Sequence, residues 1–161
     1  MKTSQAGIDL IKRYEGFVSK PYLCPAGVWT VGYGSTRGIT RDTPPVTKEQ
    51  AEEILRRDVE FAEAAVMRLC PALKKQNRFD AIVSFTFNLG SAALQRSTLR
   101  QKINRNEHLD VPAELLKWVW AGGRRLPGLV ARRAAEGVMY GSLSPALNEE
   151  LHRAAGDLMA P

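Results

Sequence analysis

The distribution of apolar residues near the start of the chain predicts one helix followed by one β-hairpin. Apolar side chains recur every three or four positions between Ser4 and Glu15, and Gly16 is a natural helix stop. Two short segments, 22–24 and 28–33, then flank a Pro-Ala-Gly loop, which is typical of a hairpin with a three-residue turn. Glu15 is therefore expected in the last helical turn, immediately before the hairpin.

The rest of the chain carries helical patterns. Thr47 and Gln50 form a capping box at the start of a helix of about 20 residues, roughly 30 Å long, that ends before Pro71. Further helices are predicted at 74–89, 91–105, 112–121 and 127–141. The predicted fold class is α+β and mostly α, with a small N-terminal lobe that holds the hairpin, a long connecting helix and an all-helical C-terminal lobe around one cleft.

Composition and charge narrow the class of protein and of partner. The 161 residues suit one domain, which we place at 1–145, while the polar, Ala-rich segment 146–161 is predicted to be an appendage. Lys and Arg outnumber Asp and Glu by 23 to 17, and a net charge of +6 favours anionic polymers such as nucleic acid, anionic membranes or cell wall. No apolar stretch is long enough for a signal peptide or a membrane span, so we expect a cytosolic chain in which Cys24 and Cys70 are free thiols.

Glu15 is the strongest candidate for acid chemistry. It lies at the negative end of its helix dipole, which favours the protonated carboxyl, and Tyr14 and Phe17 would desolvate it further. A carboxylic acid kept protonated near neutral pH can protonate a leaving oxygen. The alternative is an exposed acid at a helix end with no role.

Cys24 and Thr30 are predicted to share one face of the hairpin. Side chains alternate along a strand, so Tyr22 and Val28 belong to the same face, whereas the opposite face carries Leu23, Trp29, Val31 and Tyr33. A thiol and a hydroxyl placed diagonally across the hairpin would hold one water between them. The alternatives are a small cysteine that fills core space and a threonine that only favours strand structure.

Three segments resemble one known family. Glu15, Cys24 and Thr30, separated by eight and five residues and followed by V-G-Y-G, resemble the catalytic signature of phage-type lysozymes, the endolysins of glycoside hydrolase family 24. S-F-T-F-N-L-G at 84–90 and W-V-W-A-G-G-R-R-L-P-G-L-V-A-R-R-A-A-E at 118–136 resemble two further segments of that family, in the same order. The resemblance implies a lysozyme-like fold and hydrolysis of the β-1,4 bond between N-acetylmuramic acid and N-acetylglucosamine in peptidoglycan.

The resemblance also implies roles for single residues. Glu15 matches the proton donor and Thr30 the active-site threonine, whereas Cys24 stands where most members have Asp. A glycosidase normally uses two carboxylates, and Cys24 supplies a negative charge only as a thiolate. Ser35 stands where the family often has His, and we expect its hydroxyl to keep a hydrogen bond there.

Basic and aromatic residues are predicted to bind the glycan. Tyr33, Arg132 and Arg133 are assigned to substrate binding, and one of the two arginines should face the cleft because successive helix positions point about 100° apart. An arginine near Cys24 would also lower the pKa of its thiol. Asn88 is expected to support backbone at a helix end, and Trp118 and Trp120 are expected in the core. Arg124 and Arg125 are expected at an Arg-rich helix start, where they are either solvated charge or part of a clamp for the sugar polymer.

Three other functions are weighed against this one. A cysteine amidase or peptidase would use Cys24 as nucleophile and His108 or His152 as base, but Cys24 precedes a proline in a turn instead of opening a helix. A lytic transglycosylase would keep Glu15 alone and form an anhydro product. A non-catalytic wall-binding or nucleic-acid-binding module explains the charge but not the spacing of Glu15.

The sequence shows no metal-ligand cluster and no phosphate loop, so we expect no metal and no cofactor. The resemblance implies a monomeric endolysin that binds peptidoglycan, without nucleic acid or stable membrane insertion. It would wait in the host cytoplasm until a holin permeabilises the membrane and would then reach the periplasm. Whether the reaction inverts or retains the anomeric centre depends on the distance from Glu15 to the group that acts opposite it.

Overall fold

The computed structural model describes residues 1–141, 146, 149–150 and 152–153, so the predicted appendage lies largely outside the described residues. In chain order the regular elements are α1 (Gln5–Glu15), β1 (Val18–Leu23), β2 (Trp29–Gly32), α2 (Lys48–Leu69), α3 (Gln76–Leu89), α4 (Ser91–Arg96), α5 (Thr98–Asn104), a 3₁₀ turn (His108–Asp110), α6 (Val111–Leu115), β3 (Trp120–Ala121), β4 (Arg124–Arg125) and α7 (Pro127–Tyr140). The predicted fold class, mostly helical with a small hairpin, is confirmed.

The first helix and hairpin form as predicted, with an earlier start for the strand. Glu15 ends α1, and β1 pairs with β2 so that Tyr22 lies opposite Thr30. The ladder continues into the turn, where the Cys24 N–H donates to the Val28 carbonyl at 3.0 Å. Strand β1 begins at residue 18 instead of 22, and its register shifts before Tyr22 in the stretch that holds Pro21, a residue with no N–H to donate.

The long connecting helix α2 is confirmed together with its capping box. The Gln50 N–H donates to Thr47 Oγ1 at 3.1 Å, and the Thr47 N–H donates to Gln50 Oε1 at 2.9 Å. These two bonds satisfy donors that the first helical turn leaves unpaired. One apolar stripe of α2 is buried against β2, α3 and α4, and it includes Ala51, Leu55, Val59, Ala62 and Val66.

Helix α3 is the centre of the C-terminal lobe. It packs against α1, α2, α4 and α7, and its residues 79–86 are all buried. A helix that neighbours cover all round must pair the polar side chains that it buries. The face that meets α7 carries Ser84 and Asn88, which bond to Glu136 and Arg133 of that helix.

The segment 91–105 is predicted to be one helix, but it forms two, α4 and α5. The backbone of Ser97 is extended, with ψ of 147°, and separates α4 from α5. The Ser97 hydroxyl donates to the Leu94 carbonyl at 2.7 Å and accepts from the Arg100 N–H at 3.0 Å. A serine inside a helical pattern therefore acts here as the N-cap of a new helix.

The prediction of an all-helical C-terminal lobe is wrong at 112–121. Helix α6 ends at Leu115, and β3 then pairs with β4 in a second hairpin. Gly122 and Gly123 form its turn with φ of 57° and 74°, the left-handed conformations that a two-residue hairpin loop requires. Trp120 stands on this hairpin with 62% of its surface exposed, so its predicted place in the core is also wrong.

Both cysteines are free thiols, as predicted. Cys70 is buried at the end of α2, and burial raises the pKa of its thiol to about 12, whereas Cys24 is partly exposed on the hairpin. Within the described part of the chain, none of the helices combines the length and the apolar content that crossing a membrane demands.

Candidate active site

A cleft runs along the junction of α1, α2, α3 and α7, and Glu15 lies in its middle. We divide it into a first arm of about 680 Å³, bounded on one side by α2 and on the other by Gly34 to Arg37, and a second arm of about 470 Å³, bounded by Tyr14 and the start of α7. Glu15 and Asn88 line both arms. A ligand that occupies both arms therefore passes directly over the Glu15 carboxyl.

The Glu15 carboxyl is held from two sides. Its Oε1 accepts a hydrogen bond from Arg132 Nη1 at 2.7 Å, and its side chain keeps 23% of its surface exposed. Gly34 has a φ of 86°, and a Cβ there would lie 3.5 Å from Glu15 Oε2, so the backbone of the loop after β2 approaches the carboxyl closely. Tyr14 fastens the end of α1 to α7, because its hydroxyl donates to the Ala131 carbonyl at 3.1 Å.

The structure decides between the two arginines that the sequence leaves equivalent. Arg132 faces Glu15 and lines the second arm, although only 3% of it is exposed. Arg133 is fully buried, lines neither arm and donates to Asn88 Oδ1 at 2.9 Å, so its predicted contact with substrate has no support from this geometry. Asn88 thus lines the cleft and holds a side chain, and the prediction that it supports backbone is not met.

Glu136 is the buried residue that links these arginines, and we assigned it no role from the sequence. It is 0% exposed, and its Oε1 accepts from the Ser84 hydroxyl at 2.7 Å and from Arg133 Nη2 at 2.9 Å. Arg132 Nε lies 3.4 Å from the same oxygen. Burial raises the pKa of the Glu136 carboxyl, while Arg133 and Arg132 oppose that rise by favouring the charged form.

The signal for this network was present in the sequence. Positions three and four apart lie on the same face of a helix, so Arg132, Arg133 and Glu136 meet along α7. With Glu15 they form two carboxylates and two guanidiniums, whose charges cancel when all four are ionised. Neutralisation of this kind is needed to offset the desolvation of buried charges.

Cys24 and Thr30 come together on the first hairpin. The pKa of the Cys24 thiol is lowered chiefly by hydrogen bonds from the backbone N–H groups of Val28 and Ala26. The nearby Thr30 hydroxyl contributes less to that shift and donates to the Val28 carbonyl at 2.9 Å. The direction agrees with our prediction, but the main causes are backbone hydrogen bonds and not an arginine. Neither Cys24 nor Thr30 is among the residues that line the two arms.

The structure places Tyr33 and Ser35, in the segment after β2, away from their predicted contacts. Tyr33 is only 5% exposed and lines neither arm, because its ring packs in the core against Phe17 at 5.5 Å and beneath the Lys12 ammonium. Ser35 exchanges two backbone hydrogen bonds with Val31, but its buried hydroxyl has no hydrogen-bond partner among the described residues. The expected hydrogen bond of Ser35 is therefore absent from this part of the chain.

Trp118 and His108 both lie in the C-terminal lobe and line neither arm of the cleft. Trp118 packs edge-on against Phe85 at 5.5 Å, and its predicted place against the core is confirmed. His108 Nδ1 lies 2.6 Å from the Tyr140 hydroxyl in the C-terminal lobe, whereas Cys24 lies on the hairpin of the other lobe. The cysteine–histidine pair of an amidase or peptidase is therefore not formed with His108.

The chain matches known proteins in sequence over most of its length. The family model described as phage lysozyme matches residues 12–136. An endolysin of Acyrthosiphon pisum secondary endosymbiont phage 1 is 42% identical over 146 residues, which are 88% of this chain and 99% of that protein. The chain also spans about half the length of two Bacillus phage endolysins that it matches.

Solved structures agree with the sequence comparison. A mutant of the phage P22 lysozyme superposes with a TM-score of 0.80 at 30% identity, over 87% of this chain and 98% of that one. The muramidase domain of SpmX from Asticaccaulis excentricus gives 0.79 at 34% identity, over 86% and 97%. On this combination of fold and sequence, the chain belongs to the phage lysozyme family.

Proposed function

We propose that this chain is an endolysin that hydrolyses the β-1,4 bond between N-acetylmuramic acid and N-acetylglucosamine, with Glu15 as the proton donor. Family membership makes it a lysozyme-type glycoside hydrolase whose substrate is bacterial peptidoglycan. The observation that supports Glu15 is its position, because it lines both arms of the cleft and is held there by a buried arginine.

The two arms suit an extended glycan. A strand lying through both places sugars on either side of Glu15, so the bond above the carboxyl is an internal one. Glu15 gives its proton to the glycosidic oxygen, the bond from that oxygen to the anomeric carbon breaks, and water supplies hydroxide to that carbon and returns a proton. The hydrogen bond from Arg132 Nη1 to Oε1 fixes the carboxyl and leaves Oε2 to carry the proton, so that proton transfer needs no rearrangement.

The products distinguish hydrolysis from transglycosylation. We expect mass spectrometry of digested peptidoglycan to show muropeptides with reducing ends, each heavier by one water than the anhydro form. Anhydro-muropeptides as the main products would instead identify a lytic transglycosylase and contradict the assignment.

For Cys24 and Thr30 we propose a role in holding and polarising a water near the anomeric carbon. The backbone N–H groups of Val28 and Ala26 that lower the pKa of the Cys24 thiol make a thiolate more accessible near neutral pH. The thiolate that these hydrogen bonds stabilise supplies a negative charge without a second carboxylate. A covalent intermediate on sulfur is not required.

Substitution of Cys24 tests this role. We expect Cys24→Ser to lower kcat/KM by roughly ten- to a hundredfold, because serine still bonds water but carries no negative charge, and Cys24→Asp to restore most of the rate. Since only the thiolate is charged, wild-type activity should rise with pH as the thiol titrates, and Cys24→Ser should lose that rise. Total inactivation of both variants in a turbidity assay would point to nucleophilic catalysis instead.

The remaining family-based expectations concern access to the wall. We propose that the chain acts as a monomer and reaches peptidoglycan only after a holin has opened the inner membrane. Fractionation of intact cells that express the chain without a holin should find it in the cytoplasm. Its presence in the periplasm of such cells would refute the proposed route.

A further inference from the structure

The second hairpin presents an aromatic and basic surface to solvent. Residues 120 to 128 are all exposed, and Trp120 lies directly opposite Arg125 across the two strands, while Ala121 lies opposite Arg124. The glycine turn adds no side chain at the tip. The groups that this ribbon exposes to a ligand are therefore the guanidiniums of two arginines and the indole of one tryptophan.

The charge of this hairpin is not compensated within the described structure. No acidic residue occurs from 115 to 135. Lys117 pairs with Glu114 at 2.8 Å, and the two arginines of α7 are engaged in the buried network. Arg124 and Arg125 form no ion pair with any residue that the structure describes, so both can receive an external anion.

The hairpin adjoins the second arm of the cleft. The Leu126 N–H donates to the Val119 carbonyl at 2.9 Å and closes the base of the ribbon, and residues 126 to 129 then line the arm. A glycan that leaves the second arm on this side meets the hairpin next. The position of the ribbon thus favours a further part of the same substrate over an unrelated partner.

We propose that the second hairpin is a subsite for the carboxylate groups of the peptide stems of peptidoglycan, a conclusion that rests on the proposed function. The N-acetylated sugars are neutral, and the lactyl group of each muramic acid is joined to a peptide, so the negative charge of the substrate lies on the stems. Arginine binds carboxylate through two parallel N–H bonds. The indole of Trp120 offers a flat apolar face to the adjacent sugar or peptide.

The test compares two double variants on two substrates. Arg124→Gln/Arg125→Gln removes the subsite, and Arg68→Gln/Arg105→Gln removes the same charge from exposed positions that line neither arm. The substrates are purified sacculi and the same sacculi after carbodiimide coupling to ammonia, which converts stem carboxyls to neutral amides. Melting temperatures of both variants should equal that of wild type, because the replaced side chains are exposed.

We expect the hairpin variant to have a kcat/KM about three- to tenfold below wild type on untreated sacculi, chiefly through KM, as two exposed ion pairs allow. On amidated sacculi the two enzymes should be equal, and the control variant should follow wild type on both substrates. Release of products from amidated sacculi by wild type tests the proposed hydrolysis. The subsite is tested separately, by the ratio of kcat/KM between the hairpin variant and wild type on each substrate.

Three results would overturn the subsite. Equal rates of the hairpin variant and wild type on untreated sacculi would show that the arginines do not bind substrate. A loss of the same size on amidated sacculi would show that stem carboxylates are not the ligand. Unchanged digestion with lost binding to phosphatidylglycerol vesicles would assign the hairpin to an anionic membrane surface.

Discussion

Replacement of Glu15 by glutamine is expected to lower kcat for peptidoglycan hydrolysis by about a thousandfold, with KM nearly unchanged. General acid catalysis contributes about 10²–10⁴-fold, and the amide of glutamine has no proton of suitable acidity to give. Its carbonyl oxygen still accepts the hydrogen bond from Arg132, so the cleft should keep its shape. Clearing of outer-membrane-permeabilised cells measures the rate, and thermal unfolding verifies the fold.

Other carboxylates in and near the cleft provide the comparison. Glu53→Gln makes the same chemical change on the exposed side of α2, outside both arms, and should leave the rate unchanged. Asp58 lines the first arm, and Asp58→Asn should cost far less than Glu15→Gln. Unimpaired lysis by Glu15→Gln, or an equal loss in Asp58→Asn, would be incompatible with Glu15 as the sole proton donor.

Replacement of Glu136 by glutamine is expected to destabilise the fold by about 3–5 kcal/mol, because it leaves two buried guanidiniums with one carboxylate. Glu136 is fully buried between Arg132 and Arg133, with Ser84 as its further hydrogen-bond donor. For a chain of this size the loss corresponds to a fall in melting temperature of roughly 10 °C. Denaturant unfolding monitored by circular dichroism gives the free energy directly.

The hydrolytic activity of the Glu136→Gln variant should fall as well, because Arg132 loses one of the groups that direct it to Glu15. Residual hydrolysis measured well below the melting temperature separates this positioning effect from unfolding, and Ser84→Ala should show the same effect on rate with a smaller loss of stability. The exposed Glu53→Gln again serves as the control. A Glu136→Gln variant as stable as wild type would mean that the buried network contributes nothing to the fold.

Several elements could be predicted because neighbouring residues determine them. Ser4 and Gly16 mark the ends of α1, and the reciprocal bonds of Thr47 and Gln50 start α2. Side chains alternate along a strand, which predicts that Cys24 and Thr30 share one face of the hairpin. The observed register, in which Tyr22 lies opposite Thr30, agrees with that prediction. Each of these features depends on hydrogen bonds that close within a few residues.

The second hairpin shows where local reasoning was incomplete. Gly122 and Gly123 lie between the predicted helices 112–121 and 127–141, and a pair of glycines is also the signal of a two-residue β-turn. A core position for Trp120 is the expectation that follows from the average burial of tryptophan. Its exposure follows from the ribbon, because all four residues of the two strands are exposed.

By itself, the sequence determined the helical periods, the caps, the first hairpin and the spacing of Glu15, Cys24 and Thr30, because all of these depend on contacts within one or two elements. Only the tertiary structure decided that Arg132, 117 positions from Glu15, holds its carboxyl while Arg133 turns to Asn88 and Glu136. That choice is set by how α1, α3 and α7 pack together. Packing fixes which helix face is buried, and adjacent positions on a helix point in different directions.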